Sequence, residues 1–291
     1  MKLSEFYASV IRCGVARDPR KKEKILHFED TAILYGNPAK IDVSNILVGI
    51  DIEGSELLLA DRLREKEGLD LALAHHPQGK AWAAFFEVMR LQTDLLQKVG
   101  VARAVAQGFI EQRKDEVARR VHSGNHARAV DIARILDIPF MCCHTPADNQ
   151  AAFFIEQLLN KEKPKQVQDI LDILMGVEEY QGAAKNLAGP RIILGSPKRS
   201  VGKIFVEMTG GTEGPKEVYD SLYRRGIRTL VSMHLSEEHF KKVKDVQLNV
   251  VLAGHISSDT LGMNLLLDYV ETSARQRFNV ISCSGFRRIR R

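Results

Sequence analysis

Nowhere in its 291 residues does the sequence approach the roughly 20 consecutive uncharged apolar residues that a membrane-spanning helix needs. Met1 to Tyr7 also lack a charged start followed by a long apolar stretch, so no secretory leader is expected and the chain reads as cytoplasmic. Cysteine is scarce. Cys13, Cys142, Cys143 and Cys283 show no C-x-x-C spacing, and the adjacent pair sits in an apolar run, which points to reduced, packed thiols. No serine occupies a G-x-S-x-G elbow, which leaves a Ser/His/Asp hydrolase without support. Gly195 to Ile204 imitates a P-loop, but its glycines are wrongly spaced and Ile204 stands where a magnesium-binding hydroxyl is required. Repeats of 20 to 50 residues and low-complexity tracts are absent as well.

What is present is ordinary for a globular protein: 44% hydrophobic and 27% charged residues, enough for a sizeable core and one or two domains. The net charge of +5 comes largely from Arg17 to Lys24 and from Arg287 to Arg291. Basic ends of this kind read as solvated segments rather than a nucleic-acid site. Asn45 to Ile50 predicts a strand, and the acidic stretch from Glu53 to Glu56 predicts a helix start, because unpaired backbone N–H groups there favour negative charge. Ala81 to Leu136 reads as helical, with apolar residues at three- and four-residue intervals. Phe153 to Leu187 continues helical, interrupted at Pro164 and Gly176. Strand signals return at Ile192 to Leu194, Lys203 to Met208, Thr229 to Met233 and Leu248 to Leu252, with helices expected over Pro215 to Arg225 and Leu261 to Glu271. The alternation predicts an α/β fold whose sheet is covered on both faces, with ligands beyond the C-terminal strand ends. The expected organisation is an N-terminal α/β lobe over 1–160, a helical connection over 161–190 and a C-terminal α/β lobe over 191–291.

Histidines gather at those strand ends. Leu69 to Ala74 is an apolar run closed by His75, His76 and Pro77; Ile138 to Cys143 is closed by His144, Thr145, Pro146, Ala147 and Asp148; Leu252, Ala253 and Gly254 lead into His255, three more residues and Asp259. The two halves thus share a strand, helix, strand, histidine plan. Neighbouring strand residues point to opposite faces, so His75 and His76 meet one site only where the strand has broken, and Pro77 and Gly79 supply the break. Taken singly, each motif also reads as a packed histidine with a helix-capping aspartate. Three of them at buried strand ends favour a metal centre made from His75, His76, Asp148, His255 and Asp259. Three imidazoles and two carboxylates suffice for two divalent ions of the zinc, manganese, iron, cobalt or nickel type, and suit calcium or magnesium poorly.

Other residues offer supporting roles. His144 is placed to orient Asp148 or shuttle a proton, and His234 follows a further strand as a candidate acid or base. The nearby stretch from Ser236 to His239 also reads as a helix start. His122 and His126, at i,i+4 spacing, are candidates for an ion or a pocket wall. Thr209 to Gly214 is a weak candidate for an anion-binding turn.

With these motifs in hand, the chain resembles the NIF-three-like family of dinuclear-metal proteins, also labelled GTP cyclohydrolase I type 2-like. The likeness rests on Ala74-His75-His76-Pro77, on His144-Thr145-Pro146-Ala147-Asp148 and on Ala253-Gly254-His255-Ile256-Ser257-Ser258-Asp259, in that order along most of the chain. It implies metal ligation by His75, His76, Asp148, His255 and Asp259. It also implies two similar α/β lobes with the site in the cleft between them, and a ring-shaped homo-oligomer. The family's last motif ends in glutamate, where this chain carries the shorter Asp259; its glycine-rich turn and Thr-Gly-Glu motif have no clear counterpart, and His234 is a candidate substitute. The expected function is a metal-dependent hydrolase acting on a phosphorylated or nucleotide-like small molecule. The alternative is a metal-dependent binding or regulatory protein without turnover.

Overall fold

The apolar runs identified above become the strands of two separate sheets. The computed structural model describes residues 1–21 and 23–291. The chain begins with α1 (Leu3–Arg17), β1 (Thr31–Tyr35), β2 (Asn45–Gly49), α2 (Gly54–Glu67), β3 (Leu71–Ala74) and α3 (Gly79–Ala83). A helical stretch then carries α4 (Gln92–Lys98), α5 (Arg103–His122) and α6 (Arg128–Ile135) to β4 (Phe140–Cys143). The helices α7 (Thr145–Glu162), α8 (Val167–Leu174) and α9 (Glu178–Lys185) connect to the second half. There β5 (Arg191–Leu194), β6 (Lys203–Glu207), α10 (Val218–Arg224), β7 (Ile227–Ser232), α11 (Glu237–Asp245), β8 (Asn249–Leu252) and α12 (His255–Ala274) precede the last strand, β9 (Asn279–Cys283).

The first sheet has the order β1-β4-β3-β2-β9 and the second β5-β8-β7-β6. In each, the first strand runs antiparallel to the fourth and the remaining pairs are parallel. Four strands of one sheet therefore repeat the order of the other, and the two α/β lobes expected from the resemblance are present. The chain returns at its end to place β9 parallel to β2 in the first sheet.

Side chains alternate across these strands as a doubly covered sheet demands. Leu71 and Leu73 pack with α1 and α12, while Ala72 and Ala74 pack with α2 and α6 on the opposite face. In the second sheet Val250 belongs to the core shared with α5 and α10, and Val251 to the core shared with α7 and α8. Burial on both faces explains why these strands read as unbroken apolar runs. The strands β1 and β9 give no such signal because their faces are partly exposed.

The helix boundaries follow local chemistry. At α2, Glu53 accepts from the first turn while its own backbone N–H donates to Glu56 Oε2 at 2.9 Å, a reciprocal cap. The helix expected at Leu261 starts earlier, at His255, because Gly254 adopts φ +106 and turns the chain directly from β8 into α12. A Cβ at Gly254 would come within 2.7 Å of Ser257 Oγ, so glycine serves both the backbone angle and the space. Among the described residues, no helix is long and apolar enough to cross a membrane.

Candidate metal centre

Parallel strands deliver the chemistry. β3 ends at Ala74, yet the backbone N–H groups of His75 and His76 still donate to Gly49 O and Ile50 O, both at 2.9 Å. Both imidazoles are thereby fixed beside the end of β2. The next strand, β4, leads through His144 into α7, whose first turn carries Asp148; in the other lobe β8 leads through Gly254 into α12, whose first turn carries His255 and Asp259. Both helices thus open on a histidine followed four residues later by an aspartate, and α7 packs against α12.

Asp259 lies at the centre. Its Oδ1 is 3.5 Å from His75 Nε2, and its Oδ2 is 3.4 Å from both His76 Nε2 and His255 Nε2. Asp148 Oδ1 lies 3.4 Å from His75 Nε2. Three triads of potential donors result: His75 with Asp148 and Asp259, His76 with His255 and Asp259, and His75 with His76 and His144. Donors bound to one tetrahedral ion at about 2.1 Å stand about 3.4 Å apart, so the spacing has the scale of a shared ion. His75 Nε2 and both carboxylate oxygens of Asp259 are buried without a hydrogen-bond partner. Such atoms are costly to bury unless something else satisfies them, and two divalent ions fit that need. The structure thus holds a dinuclear divalent-metal site in His/Asp clusters between the lobes, with the identity of the ions left open by this donor set.

The outer nitrogens are anchored. His75 Nδ1 lies 3.1 Å from Cys143 O, and His76 Nδ1 lies 2.6 Å from Asp51 Oδ1. Such bonds set the tautomer and turn Nε2 toward the cluster. His144 Nδ1 sits 2.9 Å from Asp30 Oδ2 and 3.5 Å from Asp148 Oδ2, and its ring stacks on His75 at 4.8 Å. Thr145 donates to the same Asp30 oxygen through its hydroxyl at 2.6 Å.

Electrostatics favour ligation. Burial alone would raise the Asp259 carboxyl, but the surrounding histidines hold it far below the usual carboxylate range. Burial would likewise lower His75, yet the facing Asp259 and Asp148 carboxylates raise it well above an ordinary histidine. Burial, with the neighbouring His234, His76 and His75, pushes His255 down to about 4, so this imidazole is neutral and ready to donate electrons at neutral pH.

His234 stands beside the cluster, its ring centroid 4.8 Å from that of His255. It lines a pocket with His144, Asp148, His255, Asp259 and the loop from Met208 to Glu213. Glu213 Oε1 lies 3.4 Å from His234 Nδ1, and Glu213 Oε2 lies 3.2 Å from His239 Nδ1. The Glu213 pairing raises the His234 imidazole above its ordinary value. His239 itself belongs to α11, which Ser236 precedes, and it is buried with Nε2 2.8 Å from Gly214 O. His122 is exposed, and His126 packs on Trp82 with Nε2 2.9 Å from Val121 O, so neither joins the cluster. Cys142 and Cys143 are buried strand residues, and burial pushes the Cys142 thiol up to about 12. Asp30, Asp51 and Glu213 complete the site without any motif to announce them.

No protein-family model matches the chain, and no curated protein does. Solved structures do. The chain is similar to a NIF3 superfamily protein from Sphaerobacter thermophilus, with 27% identity, a TM-score of 0.79, and coverage of 96% of this chain and 98% of that one. It is also similar in fold to reduced HcgD from Methanocaldococcus jannaschii, with 16% identity, a TM-score of 0.57 and 97% of each chain covered. The whole chain, with its two lobes and its cluster of histidines and aspartates, has the fold of the NIF3 superfamily in a divergent form.

Proposed function

We propose that the protein is a metal-dependent hydrolase acting on a phosphorylated or nucleotide-like small molecule. The observation that carries this reading is Asp259, whose two buried, unpartnered oxygens each face nitrogens of different histidines. His75 and Asp148 with Asp259 would hold one ion, and His76 and His255 with Asp259 the other. Such a pair of ions polarises a phosphoryl or carbonyl oxygen and makes water more acidic.

The remaining residues supply position and protons. His144, tied through Nδ1 to Asp30, stacks on His75 and stands beside Asp148 at 3.5 Å, which suits it to position both. His234, raised above its ordinary value by its pairing with Glu213, faces the same pocket, so it is the candidate acid toward a leaving group. Thr212 lines that pocket and offers a hydroxyl to an anionic substrate. The pocket borders both lobes, as expected for a ligand bound at strand ends.

A screen of phosphoesters, cyclic nucleotides and purine-ring compounds with metal-loaded protein tests the reading. Turnover is expected to stop on chelation and to fall by about a hundredfold or more in His234→Gln while the metal content stays unchanged. Binding of such compounds without turnover in the fully loaded protein would make it a metal-dependent binding protein instead.

A further inference from the structure

A second cavity, of about 390 Å³, opens between the end of α1, α4, α7 and the free edge of β6. Its volume lies in the range of small-molecule sites. Leu95, Val99, Phe153, Phe205 and Val206 form an apolar wall. Asn149 and Thr209 separate it from the metal pocket: Thr209 lines both spaces, and its hydroxyl donates to Asn149 Oδ1 at 2.6 Å. Asn149, in turn, follows the candidate ligand Asp148 directly in α7.

The cavity lining carries three basic side chains, Arg17, Lys21 and Lys98, and three acidic ones, Asp18, Asp94 and Glu156. Lys98 is neutralised by Glu156 at 2.6 Å, Asp18 by Arg20 at 2.9 Å, and Asp94 faces Arg103 at 3.8 Å. Arg17 and Lys21 are the cavity charges that have no acidic partner among the described residues. The Arg17 guanidinium lies 3.9 Å over the Phe153 ring, which places a cation at the edge of the aromatic wall. A cavity with an apolar, partly aromatic wall and, at its rim, two cations that form no ion pair is complementary to one ligand chemistry. We propose that it binds a small aromatic or heteroaromatic anion, its ring system among Phe153, Phe205 and Leu95 and its acid group toward Arg17 and Lys21. This site is distinct from the metal pocket and does not depend on the hydrolase reading.

Anilinonaphthalene sulfonate is a suitable probe because it joins a fused aromatic body to one acid group. Titration calorimetry on the metal-loaded protein is expected to give one saturable site per chain. Arg17→Gln should weaken binding about tenfold through the lost charge, and Val99→Trp, which fills the cavity, should abolish it; both variants are checked for unchanged melting and metal content. If Val99→Trp fails to fold, Leu95→Phe replaces it and should weaken binding at least tenfold. The proposal is overturned by the absence of a saturable site, by dye binding that both substitutions leave unchanged, or by displacement of the dye when only the metal ions are removed.

Discussion

Asp259 and Glu213 are both buried acids among histidines, yet their surroundings assign them different work. Asp259 has no hydrogen-bond donor, only imidazole nitrogens at 3.4 and 3.5 Å, whereas Glu213 accepts from the backbone N–H of Ser236 and pairs with His234 and His239. Burial would raise Glu213, but these partners bring its carboxyl down to about 2 from 4.5. A carboxyl lowered on folding stabilises the folded state above its unfolded pKa, and that contribution drains away as pH falls through the folded value. Glu213→Gln should therefore cost roughly 2–3 kcal/mol at pH 7, and the difference from the wild type should shrink toward zero near pH 2. Urea denaturation across that range measures it; a destabilisation independent of pH would mean that packing, not charge, is what the substitution removes. These residues also mark the limit of what sequence discloses. His75, His76, Asp148, His255 and Asp259 are legible because each follows an apolar run at a fixed offset. Asp30 meets His144 across 114 residues, and nothing local to Asp30 records that contact.

Two helices carry the acidic half of the site, and their mutual approach sets its dimensions. A Cβ at Gly262 of α12 would stand 2.5 Å from Ala147 O of α7, one residue before Asp148. The helices meet backbone to side at this point, and only glycine fits. Gly262→Ala should force them apart, costing about 1–3 kcal/mol of stability and lowering metal affinity together with it. Thermal melting and metal titration on the same sample test both effects; loss of stability with unchanged metal affinity would show that the helix spacing does not set the site. The sequence places these helices from Phe153 and from Leu261, later than their starts at Thr145 and His255, and it does not disclose their pairing, since Gly262 has no signature until α7 lies against it. The interruptions at Pro164 and Gly176 were legible because each residue disrupts helix by its own backbone chemistry.

At the scale of the molecule, the lobes repeat one strand order, and each ends its fourth strand in a histidine with an aspartate four residues on. The third strands correspond too: β3 leads to His75 and His76, and β7 leads through Met233 to His234. The shared plan is visible in the order of strands and histidines along the chain, whereas the return of β9 to the first sheet is not, because a short, half-exposed edge strand carries little apolar pattern. The fold turns two weak half-sites into one centre by setting the strand ends of both lobes toward the same cleft. Asp259 is the residue on which that convergence depends. Elemental analysis of metal per chain, in the wild type and in folded Asp148→Ala, His255→Ala and Asp259→Ala, tests this claim most directly. About two ions are expected in the wild type, about one in each of the first two variants and fewer than one in Asp259→Ala; wild-type metal content in Asp259→Ala would contradict the account.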